Sequence, residues 1–245
     1  ADIHASNNKG FTALTVAACN GQTGSLQFLL DAKADINTAS EDGCTATILA
    51  TLNGHAGCLQ SLLLTKADIG AVNKEGCTAL MLAANEGHTE CLQLLLDAKA
   101  NINTASKNGN TALTLAAMRD NAECLQLLLE ARAEIEAADT NGLTGLILAA
   151  MYGHSTSLQL LLDAKASIDA TSAEGYTAAM MATVKGQTAS LQLLIDAKAN
   201  INTAAKYGNT ATMIAVMEGH TGCLQLLLDA KADVDVADNS GTTAS

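Results

Sequence analysis

The chain has 245 residues, is 49 % apolar but only 2 % aromatic, and carries a net charge of −12 at pH 7. That acidic balance argues against nucleic acid and anionic membrane surfaces as partners, because both require a clustered basic surface. No apolar run approaches the roughly 18 residues of a spanning helix, so membrane insertion is not expected.

The first signal along the chain is a glycine two places before a threonine, and it returns every 33 residues. The threonines are Thr12, Thr45, Thr78, Thr111, Thr144, Thr177, Thr210 and Thr243; the glycines are Gly10, Gly43, Gly76, Gly109, Gly142, Gly175, Gly208 and Gly241. Fixed periods of roughly 20 to 50 residues mean a stack of units, each too small to bury its own apolar face. Residues 1–245 therefore read as a single solenoid domain, with repeats at about 2–34, 35–67, 68–100, 101–133, 134–166, 167–199 and 200–232 and a partial unit at 233–245.

Within one repeat the order is turn, helix, turn, helix. The segment 101–110 is polar and ends near Gly109, a residue that adopts a left-handed backbone at no steric cost. Thr111 has the side chain to cap the helix that follows, predicted over Ala112 to Met118. A second helix is predicted from about Ala122 to Ala131, with Leu125, Leu128 and Leu129 at helical spacing and Arg132 at its negative end. Seven such leucine rungs, from Leu29-Leu30 to Leu227-Leu228, stack into one apolar ladder.

Columns of equivalent residues separate structure from chemistry. Cys58, Cys91, Cys124 and Cys223 share a position with Ser25, Ser157 and Ser190. Neighbours in that column lie about 8–10 Å apart by helix packing, beyond the about 7 Å that a disulfide spans. Free thiols fit a reducing compartment, and the expected location is cytoplasmic. His55, His88, His154 and His220 alternate with Gln22, Asn121 and Gln187. Amides reproduce the hydrogen bonding of imidazole but not its proton transfer or metal ligation. The column therefore reads as a structural hydrogen bond. No catalytic residue, cofactor site or metal site is expected, and the chain reads as no enzyme.

Residues 76–96 hold the pattern most fully: Gly76, Thr78, Leu80, Ala83, Ala84, Gly87, His88, Leu92, Leu95 and Leu96. On this Gly-x-Thr-x-x-x-x-Ala, Gly-His, Leu-x-x-Leu-Leu pattern the whole chain resembles the ankyrin repeat family. The resemblance implies an all-α ankyrin-repeat solenoid of helix-turn-helix units joined by hairpin-like turns. It also implies a concave groove, formed by turn tips and first helices, that binds another protein. There are departures. The chain contains no proline, and the glycine usual after the second helix is a base throughout: Lys33, Lys66, Lys99, Arg132, Lys165, Lys198 and Lys231. A base suits a helix C-terminus but is strained if the backbone there is left-handed.

By resemblance the groove positions include Met118, Arg119, Leu143, Met151, Tyr152, Tyr176, Val184, Lys185 and Met217, expected to form an exposed, largely apolar patch. Met, Tyr and Arg are enriched where proteins meet. The expected partner is a protein. The alternative is head-to-tail self-association into a filament through uncapped ends, where Val16 and Leu26 have the character of interior positions. The expectation for the ends themselves is an excerpt from a longer array.

Overall fold

A computed structural model describes residues 2–236 and 243–244. The eighth copy of the turn glycine, Gly241, and the final Ser245 lie outside the described residues. Fourteen helices, paired as seven antiparallel units, and no strand are found among the described residues. The inner helices are α1 (Ala13–Cys19), α3 (Ala46–Leu52), α5 (Ala79–Glu86), α7 (Ala112–Arg119), α9 (Gly145–Tyr152), α11 (Ala178–Val184) and α13 (Ala211–Met217). The outer helices are α2 (Thr23–Asp31), α4 (Ala56–Leu64), α6 (Thr89–Asp97), α8 (Ala122–Glu130), α10 (Ser155–Asp163), α12 (Thr188–Asp196) and α14 (Thr221–Asp229).

Each inner helix begins where its threonine predicts. Thr12, Thr45, Thr78, Thr111, Thr144, Thr177 and Thr210 accept the backbone N–H three residues on at 3.3–3.4 Å, satisfying a donor that helix geometry leaves orphaned. The preceding turns are hairpin-like: isolated antiparallel bridges pair Ser6 with Thr12, Val72 with Thr78, Ala138 with Thr144 and Ala204 with Thr210. Gly109 shows why the turn needs glycine. Its φ is +79°, and a Cβ there would stand 2.8 Å from the Thr140 amide of the next turn.

The outer helices end on left-handed bases, the strained arrangement foreseen above. Lys33, Lys66, Lys99, Arg132, Lys165, Lys198 and Lys231 have φ between 60° and 70°. At Lys99 the amide donates to the Leu96 carbonyl and the next amide, Ala100, to Leu95, which is the Schellman closure of a helix. Seven non-glycine residues are thus held where each costs roughly 1–2 kcal/mol.

The core is one continuous ladder. Leu26, Leu59, Leu92, Leu125, Leu158 and Leu191 are fully buried, as are Leu62, Leu95, Leu128, Leu161, Leu194 and Leu227. Burying each such side chain contributes about 1.5–3 kcal/mol. Two buried or half-buried columns depart, one at each end of the stack. Val16 is 41 % exposed, whereas Leu49, Leu115 and Ile214 at its position are buried; Val216 is 49 % exposed, whereas Ala117, Ala150 and Thr183 at its position are buried.

Successive repeats are tied by hydrogen bonds as well as by leucine. Along the turn tips, the amides of Glu41, Lys74, Lys107, Thr140, Ala173 and Lys206 donate to the carbonyls of Lys9, Asp42, Glu75, Asn108, Asn141 and Glu174 at 2.8–3.0 Å. Between the helices, the ring Nε2 of His55, His88, His154 and His220 meets the carbonyls of Cys19, Leu52, Met118 and Val184 at 3.1–3.2 Å. Asn121 fills the same role, donating its side-chain amide to the carbonyls of Ala84 and Asn85 at 2.8 Å. Gln187 makes no hydrogen bond to the repeat before it among the described residues.

The concave groove as candidate functional site

Turn tips and the C-terminal ends of the inner helices line one face of the stack. In repeats six and seven the inner helix carries two apolar side chains three residues apart: Val184 follows Met181, and Met217 follows Ile214. Side chains so spaced share a helix face. The turns of repeats five and six bring further apolar groups, Leu143 and Tyr176, just ahead of the capping threonine.

Across repeats five to seven these groups enclose a cavity of about 430 Å³. Its apolar lining is Leu143, Tyr176, Met181, Val184, Ile214 and Met217, and its polar rim is Asn141, Ser172, Glu174, Asn209 and Glu218. Four residues expected from the sequence therefore meet in one place: Leu143, Tyr176, Val184 and Met217. Met181 and Ile214 were not among them. The signal that locates them is the three-residue helical spacing just described. Glu174 and Asn141 sit two residues ahead of Tyr176 and Leu143 in the turns.

The other expected residues are placed differently. Met151 is only 9 % exposed, so its presumed exposure is corrected: this side chain completes the core. Met118 is half-buried and packs on the core. Tyr152, 46 % exposed, stacks on the His154 ring with centroids 6.0 Å apart. Arg119 donates its Nε to the Asn85 side-chain oxygen at 3.3 Å, and Lys185 is exposed beside the cavity's Val184.

The electrostatics of the face are simple. Two carboxylates, Glu174 and Glu218, line the cavity and no base does. Lys206 pairs with Glu174 at 3.4 Å, as Lys74 pairs with Asp42 at 3.2 Å in an earlier turn; both pairs are largely exposed. Pairs of this kind contribute only about 0.2–1 kcal/mol. On the outer helices, Gln27, Gln93, Gln126, Gln159, Gln192 and Gln225 donate to the acid four residues on at 2.8–3.0 Å. At Gln60 that position is Leu64, and the pattern breaks.

In each column histidine one ring nitrogen, Nε2, is engaged with a backbone carbonyl. Five of the thiols are held protonated by burial, which raises Cys91 to about 11 and shifts Cys44, Cys77, Cys124 and Cys223 upward as well. No group of three or more His, Cys, Asp or Glu side chains suited to a metal ion is found among the described residues.

The sequence profile of the ankyrin repeats matches residues 1–72, 48–139 and 146–238. The chain belongs to the ankyrin repeat family. Ankyrin repeats are in general protein–protein interaction modules, and the family is typically non-enzymatic. This ankyrin chain superimposes on the crystal structure of the human ASB11 ankyrin repeat domain with a TM-score of 0.83. The identity is 24 %, over 91 % of this chain and 99 % of that one, a likeness of fold. No curated protein matches the ankyrin chain in sequence. No helix among the described residues is long and apolar enough to cross a membrane.

Proposed function

We propose that the chain is a non-enzymatic scaffold that captures a protein partner through its concave groove, in a cytoplasmic, reducing setting. The observation that carries this reading is the apolar cavity of about 430 Å³ that repeats five to seven open toward the groove. Contiguous exposed apolar surface marks a partner site on a soluble chain. Seven free cysteines support the reducing setting. Site-specific photocrosslinking tests the groove: a crosslinker at Met217 should trap partner protein, and one at Gln93 on the outer helices should not. Equal trapping at both sites refutes groove capture.

A second reading is head-to-tail stacking of copies, favoured by the exposed Val16 and Val216 in columns that are otherwise buried or half-buried. Light scattering coupled to size-exclusion chromatography separates the two. A single-chain mass at every concentration leaves the groove as the working surface, and a mass that climbs without settling makes stacking the function.

A further inference from the structure

The cavity also specifies what kind of segment it takes. Its floor is built of Tyr176, Met181, Val184, Ile214 and Met217, apolar groups from two consecutive repeats, with Leu143 from the repeat before. A cavity of about 430 Å³ lies in the lower part of the roughly 300–1,000 Å³ range of small-ligand sites. It fits one or two bulky side chains, with an extended backbone running along the open groove.

The rim adds a charge requirement. Glu174 and Glu218 stand in adjacent repeats, no base lines the cavity, and the whole chain carries a charge of −12. Lys206 takes up part of the Glu174 charge. Glu218 has no ion pair among the described residues, so its carboxylate is the one left for an incoming cation. An acidic segment entering here meets like charge, which selects against it.

Resting on the groove reading above, we propose that repeats five to seven bind an extended peptide segment in which a bulky apolar side chain, seated in the cavity, lies next to a lysine or arginine held by Glu218.

The test is a selection from a random 12-residue peptide display library on the whole chain, followed by affinity measurements on the synthesised winners. The expected winners carry Leu, Ile, Met, Phe or Trp within two residues of Lys or Arg. Glu218→Gln, an exposed change that leaves the fold intact, should weaken them about two- to fivefold, the worth of one exposed ion pair. Raising salt should reduce that difference. Winners without a base, or indifferent to both Glu218→Gln and Val184→Gln yet lost on Tyr152→Ala, would overturn this assignment while leaving the groove reading intact. Winners indifferent to every groove substitution, or no winners at all, would overturn both. Circular dichroism melting of each variant separates lost binding from lost fold.

Discussion

Asp120 accepts two hydrogen bonds from Ser157 of the next repeat, from the hydroxyl at 2.8 Å and from the amide at 3.3 Å. Asp120 occupies the inter-helix position that is glycine in the other repeats, with φ of 58°. At Gly21, the equivalent position, a Cβ would stand 2.7 Å from the His55 ring, so a side chain here needs compensation. The nearby His154 Nδ1 lies 4.0 Å from the other carboxylate oxygen. This is a serine, an acid and a histidine without the order of a nucleophile and its base. The carboxylate sits between the other two, Ser157 is fully buried, and the His154 Nε2 is spent on the Met118 carbonyl.

Asp120→Gly should destabilise the chain by at least about 1.5 kcal/mol. Relief of the left-handed strain returns roughly 1–2 kcal/mol, against roughly 1.5–3 kcal/mol for each of the two hydrogen bonds to a charged group and roughly 0.5–1 kcal/mol for the freer unfolded chain. Urea unfolding measures the difference, and a more stable glycine variant would show that strain outweighs the Ser157 contacts.

Lys99→Gly should act in the opposite direction. With φ of 65° at Lys99, glycine removes roughly 1–2 kcal/mol of strain and loses roughly 0.5–1 kcal/mol through the freer unfolded chain. The expected gain is therefore about 0.5–1 kcal/mol in the same unfolding measurement. A loss instead would mean that the lysine contributes more at the helix end than its backbone costs.

Thr47 and Thr212 stand at a position that is leucine in several repeats, and their hydroxyls are buried without a hydrogen-bond partner. Thr212→Val keeps the shape and removes the orphaned oxygen, whose burial costs about 1–3 kcal/mol. The melting temperature should rise. An unchanged or lower value would indicate that the hydroxyl is satisfied in solution.

Cys91 gives the chain a pH dependence with a definite sign. The thiol ionises at 9.0 when unperturbed and at about 11 in the fold, because burial disfavours the thiolate. Between those values the unfolded state loses the proton first, so the contribution of Cys91 to stability is constant below pH 9 and falls as pH rises toward 11. Cys91→Ser should flatten that fall in stability measured against pH. A thiol reagent at pH 8 should label Cys91 only on unfolding, and rapid labelling of the native chain would contradict its burial.

Tyr152→Ala and Met151→Ala, neighbours in sequence, should separate. Tyr152 is half exposed, and its truncation should leave the melting temperature nearly unchanged while weakening partner capture. Met151 is buried, and truncation there should cost about 2–5 kcal/mol. Equal melting temperatures for the two variants would return Met151 to the surface.

The repeat period, the capping threonines, the leucine ladder and the histidine column are legible in sequence because each recurs in register and each follows from a local rule. The cavity is only half legible. Leu143, Tyr176, Val184 and Met217 stand in columns that the family pattern places on the groove. Met181 and Ile214 stand in a core column and reach the cavity through helix geometry. Met118, Met151, Val184 and Met217 share one column but range from buried at Met151 to 69 % exposed at Met217. Neighbouring side chains set that range, and neighbours differ from repeat to repeat. The Gln–Asp pairs on the outer helices reveal themselves once the four-residue spacing is noted, with Leu64 as the exception that confirms the geometry.

Gln187 makes the junction between repeats five and six unlike the others. The turn tips there remain joined, Ala173 to Asn141, but the bond between helices that histidine or asparagine makes elsewhere is missing. The junction is still tied at its other edge, where the Ser167 amide donates to the Glu136 carboxylate at 2.7 Å, and α9 packs closely on α11. Leu143 lies on one side of this junction; Tyr176 and Val184 lie on the other. A segment seated in the cavity would therefore clasp two repeats at the one joint where the stack lacks its own side-chain bond between helices.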